Sequence, residues 1–206
     1  MEQNYAKWAR KIKSLAQIGL EYAENEYDRE RYAELHELAA EMMAEVSTLP
    51  TEEWLRIFAK ESGYATPKVD VRGAVFLDGK VLLAREASDG LWSLPGGWAD
   101  VNDCPAEAVI REVKEETGHN VRCTKLAAVL DRDQHYQGEA SPFHIYKLMF
   151  LCEIIGEADA LCHDILEARF FSLDELPPLS EHRTLPMHIE LMQRHLLDPS
   201  LPTQFD

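Results

Sequence analysis

Two hydrophobic periods divide the chain. Over residues 5–23, Trp8, Ile12, Leu15, Ala16 and Leu20 recur at helical spacing, and over 27–46 Tyr32, Leu35, Leu38, Ala39, Met42 and Met43 repeat it. A shorter helix is predicted over 51–61, capped by Thr51 after Pro50 and burying Trp54, Leu55 and Phe58. GYATP (63–67) breaks the period and reads as a linker. Strand-like alternation follows: VDVRGAVF (69–76), an Asp78-Gly79 hairpin signal, then VLLARE (81–86). Beyond a helix after Pro105, the stretches LAAVLDRD (126–133), FHIYKLMFLCEII (143–155) and ARFFSL (168–173) read as strands, and 184–197 as a closing helix. The pattern predicts a helical N-terminal domain (1–62), a linker (63–67) and an α/β domain (68–206). In the latter, a mixed sheet with one central and one terminal helix makes an α/β/α sandwich.

About 60 residues of amphipathic helix can hardly bury their own stripe. That stripe must pack on the second domain, on another copy of the chain, or on both. Its aromatics and methionines read as core rather than as a cofactor box. A helix-turn-helix role would need a basic face, and these faces are rich in glutamate.

The chemistry concentrates between Gly96 and Gly118, in GGWADVNDCPAEAVIREVKEETG. Pro105 suits the first helical position, Glu107 sits where a capping box would place it, and Gly118 suits a left-handed C-cap. Glu112, Glu115 and Glu116 stand at i, i+3 and i+4, so three carboxylates share one helical face, while Val109, Ile110 and Val113 hold a neighbouring face to a core. Like charges at that spacing cost about 0.2–0.5 kcal/mol per pair, part of which Arg111 can relieve through Glu107 and Glu115. Three glutamates alone would read as a solvated face. The preceding Gly-Gly turn and the Arg111-Glu112 pair shift the reading to a site for a hard divalent cation, Mg²⁺ or Mn²⁺.

With Gly97, five residues, an acid at 103, seven residues and then REVKEETG, the stretch closely resembles the box of the Nudix hydrolases, G-x5-E-x7-R-E-U-x-E-E-x-G-U. It departs from that pattern in three places. Asp103 replaces the first glutamate, His119 the last aliphatic residue, and Cys104 a Ser or Thr cap. The resemblance implies the Nudix fold over 68–198. It implies Glu112 and Glu116 as metal ligands, Glu115 as a ligand directly or through water, and the Gly96 carbonyl as a main-chain ligand. It also implies Arg111 as the residue that orients the glutamates, with Glu115, Glu116 and Arg111 forming the catalytic helix. The helical segment, GYATPKVDVR and LPGGWADV resemble a bacterial Nudix subgroup with an N-terminal helical domain. That subgroup is associated with ADP-ribose or CDP-choline pyrophosphohydrolysis and with homodimers.

The net charge of −16 at 206 residues disfavours duplex nucleic acid and anionic membrane, and a polyanionic substrate then needs a bridging cation. No run approaches the ~18 apolar residues that span a bilayer, and the start MEQNYAKWARKIK has no apolar signal region, so a soluble cytoplasmic protein is expected. The four cysteines (104, 123, 152, 162) form no C-x-x-C pair and are expected as reduced thiols.

Outside the box, Glu167 and Asp164 are candidates for a catalytic base on a later loop, against a reading as surface acids. Residues 131–144, DRDQHYQGEASPFH, read as a loop suited to base or ribose contacts, with His135 and His144 as binding candidates. Arg72 and Arg85 could clamp phosphate or pair with nearby acids. The expected activity is cation-dependent hydrolysis of a nucleoside diphosphate joined to another moiety, releasing a nucleoside monophosphate. A non-catalytic nucleotide sensor and a nucleoside triphosphate sanitiser are the alternatives.

Overall fold

The structure, a computed structural model, describes residues 2–136, 138, 140–157 and 164–206, so the cysteine at 162 lies outside the described residues. Its chain falls into two units, Met1–Pro67 with Gln137–His144, and Lys68–Tyr136 with Ile145–Asp206.

In the first unit, α1 (Glu2–Tyr22), α2 (Glu26–Ala44) and α3 (Thr51–Phe58) form a small bundle. Alanines fill its centre. Ala6, Ala9, Ala39 and Ala40 pack with Met43, Trp54 and Phe58, so the helices approach closely with little side chain between them. A methyl group on Gly19 would fall 2.3 Å from the Tyr32 ring, so α1 needs glycine where α2 crosses it. Asn25 caps α2 by accepting from the Asp28 N–H. The cap of α3 is Pro50, and Thr51 is already helical, which corrects the expected Thr51 cap. The expected linker is docked: Gln17 Nε2 donates to Gly63 O at 3.0 Å. The predicted loop 131–144 is divided. Its first part forms a helical turn of the second unit, and 140–144 belongs with the bundle, where Arg10 donates to Ser141 O.

In the second unit, β1 (Lys68–Leu77) and β2 (Lys80–Glu86) turn through Asp78 and Gly79, both at positive φ as a tight hairpin requires. Next come β3 (Trp92–Ser93), β4 (Gly96–Trp98), α4 (Pro105–Thr117), β5 (His119–Asp131) and the single turn α5 (Arg132–His135). The unit ends with β6 (Ile145–Glu157), β7 (Ile165–Ser172), α6 (Pro186–Leu197) and β8 (Gln204–Phe205). Strands run in the order β3-β2-β1-β6-β5-β8, with β4 paired to β1 and β7 to β2. The β1–β6 and β5–β8 pairs are parallel and the others antiparallel, a mixed sheet.

Two apolar layers cover it. Ile189, Leu191 and Met192 of α6 pack with Ala74, Val81, Leu83 and Met149, whereas Val109 and Val113 of α4 pack with Val71, Val75, Leu82 and Phe150. Successive residues of β1 alternate between the layers, as a strand buried on both faces must. The strand β5 begins seven residues ahead of the predicted 126, directly after the Gly118 cap. Polar positions and three register shifts interrupt its alternation, which hides the extra length from the sequence pattern.

Candidate functional site

Gly96-Gly97, expected as a turn, instead opens strand β4 beside β1, and that pairing is built on close approach. Gly96 has φ +143, and a methyl group there would sit 2.0 Å from the Val71 carbonyl, so only glycine lets β4 lie on β1 at this point. Pro105 opens α4, the Cys104 N–H donates to Glu107 Oε2, and Gly118 ends the helix at φ +69.

Two of the three glutamates reach back to the glycine pair. The Gly96 N–H donates to Glu116 Oε2 at 2.9 Å, and the Glu112 carboxylate lies 3.0 Å from the Cβ position of Gly97. They are one helical turn apart, which aims both at one end of β4. Glu115 is the most exposed of the three, and its Oε2 lies 3.3 Å from Arg111 Nη1, the nitrogen that also donates to Glu112. Among the described residues, no three His, Cys, Asp or Glu side chains close around a single point.

Arg111 ties the helix to the preceding loop. Its Nη1 donates to Glu112 at 2.8 Å and to Glu115 at 3.3 Å, its Nε to Asp103 at 3.3 Å, and its Nη2 lies 3.3 Å from Asp100. Glu107, one of its expected partners, caps the helix instead. Asp103 therefore serves as an Arg111 partner. His119 meets Thr117 O through Nδ1 and sets its ring edge-on to Phe170, filling the place of an aliphatic residue with an aromatic contact.

The electrostatics follow from burial. Glu116 is 8% exposed, and loss of water pushes its carboxyl up to about 8; Glu86 and Glu112 push the same way, while Arg72 and the Gly96 N–H oppose them. Burial also raises Glu112, with Arg111 opposing. Two carboxylates are thus held beside each other where ionisation of both is costly without a cation. Hard oxygen donors arranged this way fit a small divalent ion.

Of the two readings open for Arg72, pairing with a nearby acid is the one the structure shows. Arg72 is buried, donates to Asp70 Oδ1 at 2.9 Å and to Leu94 O at 3.1 Å, and its charge faces Glu116 and Glu86 from beneath. It supports the site from the interior, and its guanidinium is not exposed to clamp a substrate. Arg85 donates to Gly90 O at 2.9 Å and holds the turn after β2. Glu167 lies in β7 and not on a loop, opposite Arg85 in the register and 3.8 Å from Arg169. Asp164 precedes that strand, and its carbonyl accepts from the Ala87 N–H. His135 ends α5, with Nε2 2.8 Å from Asp206 Oδ1, and His144 falls in the helical unit.

Several buried charges escaped the sequence reading. Glu86 accepts from Ser93 at 3.3 Å, lies 3.4 Å from Arg183, and acts on Glu116. Asp70 also pairs with Lys147, whose ammonium burial draws down to about 8. The available signal was a charge at an inward position of an apolar strand, Asp70 in VDVRGAVF and Lys147 in FHIYKLMFLCEII.

Comparison with known proteins agrees with this geometry. Residues 67–192 match the NUDIX domain, and residues 3–58 match a UDP-X-like N-terminal oligomerisation domain. A Bacillus subtilis (strain 168) protein, provisionally named ADP-ribose pyrophosphatase YjhB, is 42% identical over 97% of each chain. A crystal structure of an ADP-ribose pyrophosphatase from Streptococcus suis 89-1591 superposes with TM-score 0.62 at 37% identity, covering 68% of this chain and all of that one. One of a UDP-X diphosphatase superposes with TM-score 0.61 at 30% identity, covering 100% of this chain and 99% of that one. The glycine pair that opens β4, the two glutamates that reach it and their arginine therefore belong to a Nudix hydrolase, and the chain is a member of that family.

Proposed function

We propose that the protein hydrolyses the diphosphate bond of ADP-ribose, releasing a nucleoside monophosphate. The observation that carries this reading is the convergence of the part-buried Glu112 and buried Glu116 carboxylates on Gly96-Gly97, with Arg111 holding Glu112. The substrate choice is supported by the relatives named for ADP-ribose pyrophosphatase activity. A UDP-linked diphosphate is the second reading, favoured by the likeness to UDP-X diphosphatase over the whole chain.

Glu112 and Glu116, with the main chain of Gly96, would hold Mg²⁺ or Mn²⁺. Two carboxylates suffice where substrate oxygens complete the shell, as is usual for Mg²⁺. The bound cation supplies charge neutralisation on the diphosphate and a water of lowered pKa. Arg111 fixes the rotamers of Glu112 and Glu115 and joins them to the Asp103 loop. Arg72 keeps positive charge beneath Glu116 and lowers the cost of its ionised form. Glu167 is proposed as the base that takes the proton from the attacking water, and Arg85, its neighbour across the β2–β7 pair, as a phosphate contact.

The helical unit is proposed to pair two copies of the chain. Trp8, Leu15, Leu35 and Leu38 stay exposed at helical spacing, and the matching family domain is described as an oligomerisation domain. Free thiols at Cys104, Cys123 and Cys152 suit a reducing compartment, and the cytoplasm is the proposed location.

The test is a turnover panel of ADP-ribose, CDP-choline, a UDP-sugar and nucleoside triphosphates with Mg²⁺ or Mn²⁺. ADP-ribose is expected to give the highest kcat/KM. Preference for the UDP-sugar selects the second reading, preference for triphosphates selects a sanitising enzyme, and binding without turnover selects a sensor.

A further inference from the structure

The strands β5 and β6 run antiparallel, and their register sets Cys123 directly opposite Cys152. Directly opposed residues in such a pair hold their Cα atoms about 4.5 or 5.5 Å apart. Both spacings fall within the range of about 4.4–6.8 Å that a disulfide spans. The two side chains leave the same face of the sheet: Cys152 is buried in the layer beneath α4, and Cys123 packs at the margin of that layer. Each thiol lies close enough to perturb the ionisation of the other.

The neighbourhood favours closure of this pair. The register shifts between Cys123 and Lys125, so Thr124 has no opposite residue, and its hydroxyl donates to Leu151 O at 3.1 Å. Such a bulge bends the strand and gives it local freedom. Cys123 is half-buried and Cys152 nearly inaccessible, a difference that separates a reacting thiol from a resolving one. The neighbouring Cys152 thiol and the Lys125 backbone N–H draw the Cys123 thiol below its ordinary value, against the effect of burial.

We propose that Cys123 and Cys152 are a redox modification site, closed to a cross-strand disulfide by a hydroperoxide and coupled through the sheet to α4. In the first step the Cys123 thiolate attacks a peroxide oxygen. The O–O bond breaks, the leaving oxygen departs as water (or alcohol) after taking a proton, and the sulfur becomes a sulfenic acid. The Cys152 sulfur then attacks the Cys123 sulfur, the S–O bond breaks, and a second water leaves with the Cys152 proton. Two electrons pass from the sulfurs to the peroxide, and a dithiol reductant reverses the change.

The coupling to α4 is steric. Opposed Cβ atoms stand about 4.5–5.5 Å apart and must close to about 3.8 Å in a disulfide. The Cys152 sulfur lies 3.5 Å from the Cβ position of Gly73, and Val113 and Val109 of α4 rest on the same glycine. A displaced Cys152 therefore moves the floor under the helix that carries Glu112 and Glu116.

The experiment treats the full-length protein with hydrogen peroxide, alkylates the remaining thiols and maps the peptides. Its second readout is hydrogen exchange of the α4 amides, so it does not depend on the substrate proposed above. The expected product joins the Cys123 and Cys152 peptides, is undone by dithiothreitol, persists in Cys104→Ser and is lost in Cys123→Ser and Cys152→Ser. Exchange across 105–117 should change about threefold or more on oxidation in the wild type, and not in Cys123→Ser. Recovery of both cysteines as alkylated thiols, or as higher oxides without a cross-link, overturns the site. A cross-link with unchanged exchange in α4 overturns the coupling.

Discussion

Replacing Glu116 by glutamine should move stability and activity in opposite directions. Burial raises this carboxyl from the ordinary 4.5 to about 8 in the folded protein. At about 1.4 kcal/mol per pKa unit, that places a cost approaching about 5 kcal/mol on the ionised, cation-free fold. The sign follows from proton counting. Below about pH 4.5 the folded and unfolded chains both carry the proton and the full stability is present. As pH rises toward 8 the unfolded chain releases its proton while the folded one retains it, so stability falls, and above about pH 8 the loss is complete. A glutamine in this place is neutral throughout and keeps an acceptor for the Gly96 N–H. In chelator, thermal melts of wild type and Glu116→Gln should therefore diverge between about pH 5 and pH 8. At about 2–4 °C per kcal/mol the gap reaches about 10 °C in favour of the variant. Adding Mn²⁺ should raise the wild-type midpoint and leave the variant's unchanged, and kcat of the variant should fall about 100-fold or more. Equal midpoints at pH 8 in chelator, or undiminished turnover, would refute the reasoning.

The remaining predictions concern support for the site and the assembly. Gly96→Ala forces β4 away from the Val71 carbonyl and should cost about 3 kcal/mol or more in urea unfolding, with loss of turnover. Arg111→Ala releases Glu112, Glu115 and Asp103 together and should lower kcat about 10–100-fold with little change in KM, measured by steady-state kinetics. Asp70→Ala leaves Arg72 and Lys147 buried without their shared carboxylate and should cost about 3–5 kcal/mol in urea unfolding. For assembly, the wild-type chain is expected to sediment as a dimer and Trp8→Glu, changed at an exposed position of α1, as a monomer.

Local signals were strong where one residue type alone satisfies the backbone. Asp78-Gly79, Pro105 and Gly118 marked a hairpin turn, a helix start and a helix stop, and all three stand where the sequence put them. The start of β5, the two-residue strand β3 and the short β4 and β8 were not legible. Register shifts interrupt the period of the first, and the others are too short to show one. In the site, the spacing of Glu112, Glu115 and Glu116 established a shared face but not which of them turns inward. That depends on where β4 lies, and the position of β4 is set by the approach of Gly96 to Val71.

By itself the sequence determined the α-helical first part, the α/β character of the second, and the glycine-glutamate signature that marks the family. These features rest on contacts between residues a few positions apart, and spacing along the chain encodes such contacts directly. Only the tertiary structure decided that Arg72 lies beneath the site and not at its mouth, that Glu86, Asp70 and Lys147 are buried charges, and that Cys123 faces Cys152. Each of these follows from strand order and register, which bring together residues far apart in the chain, and no local period records which strand will lie beside which.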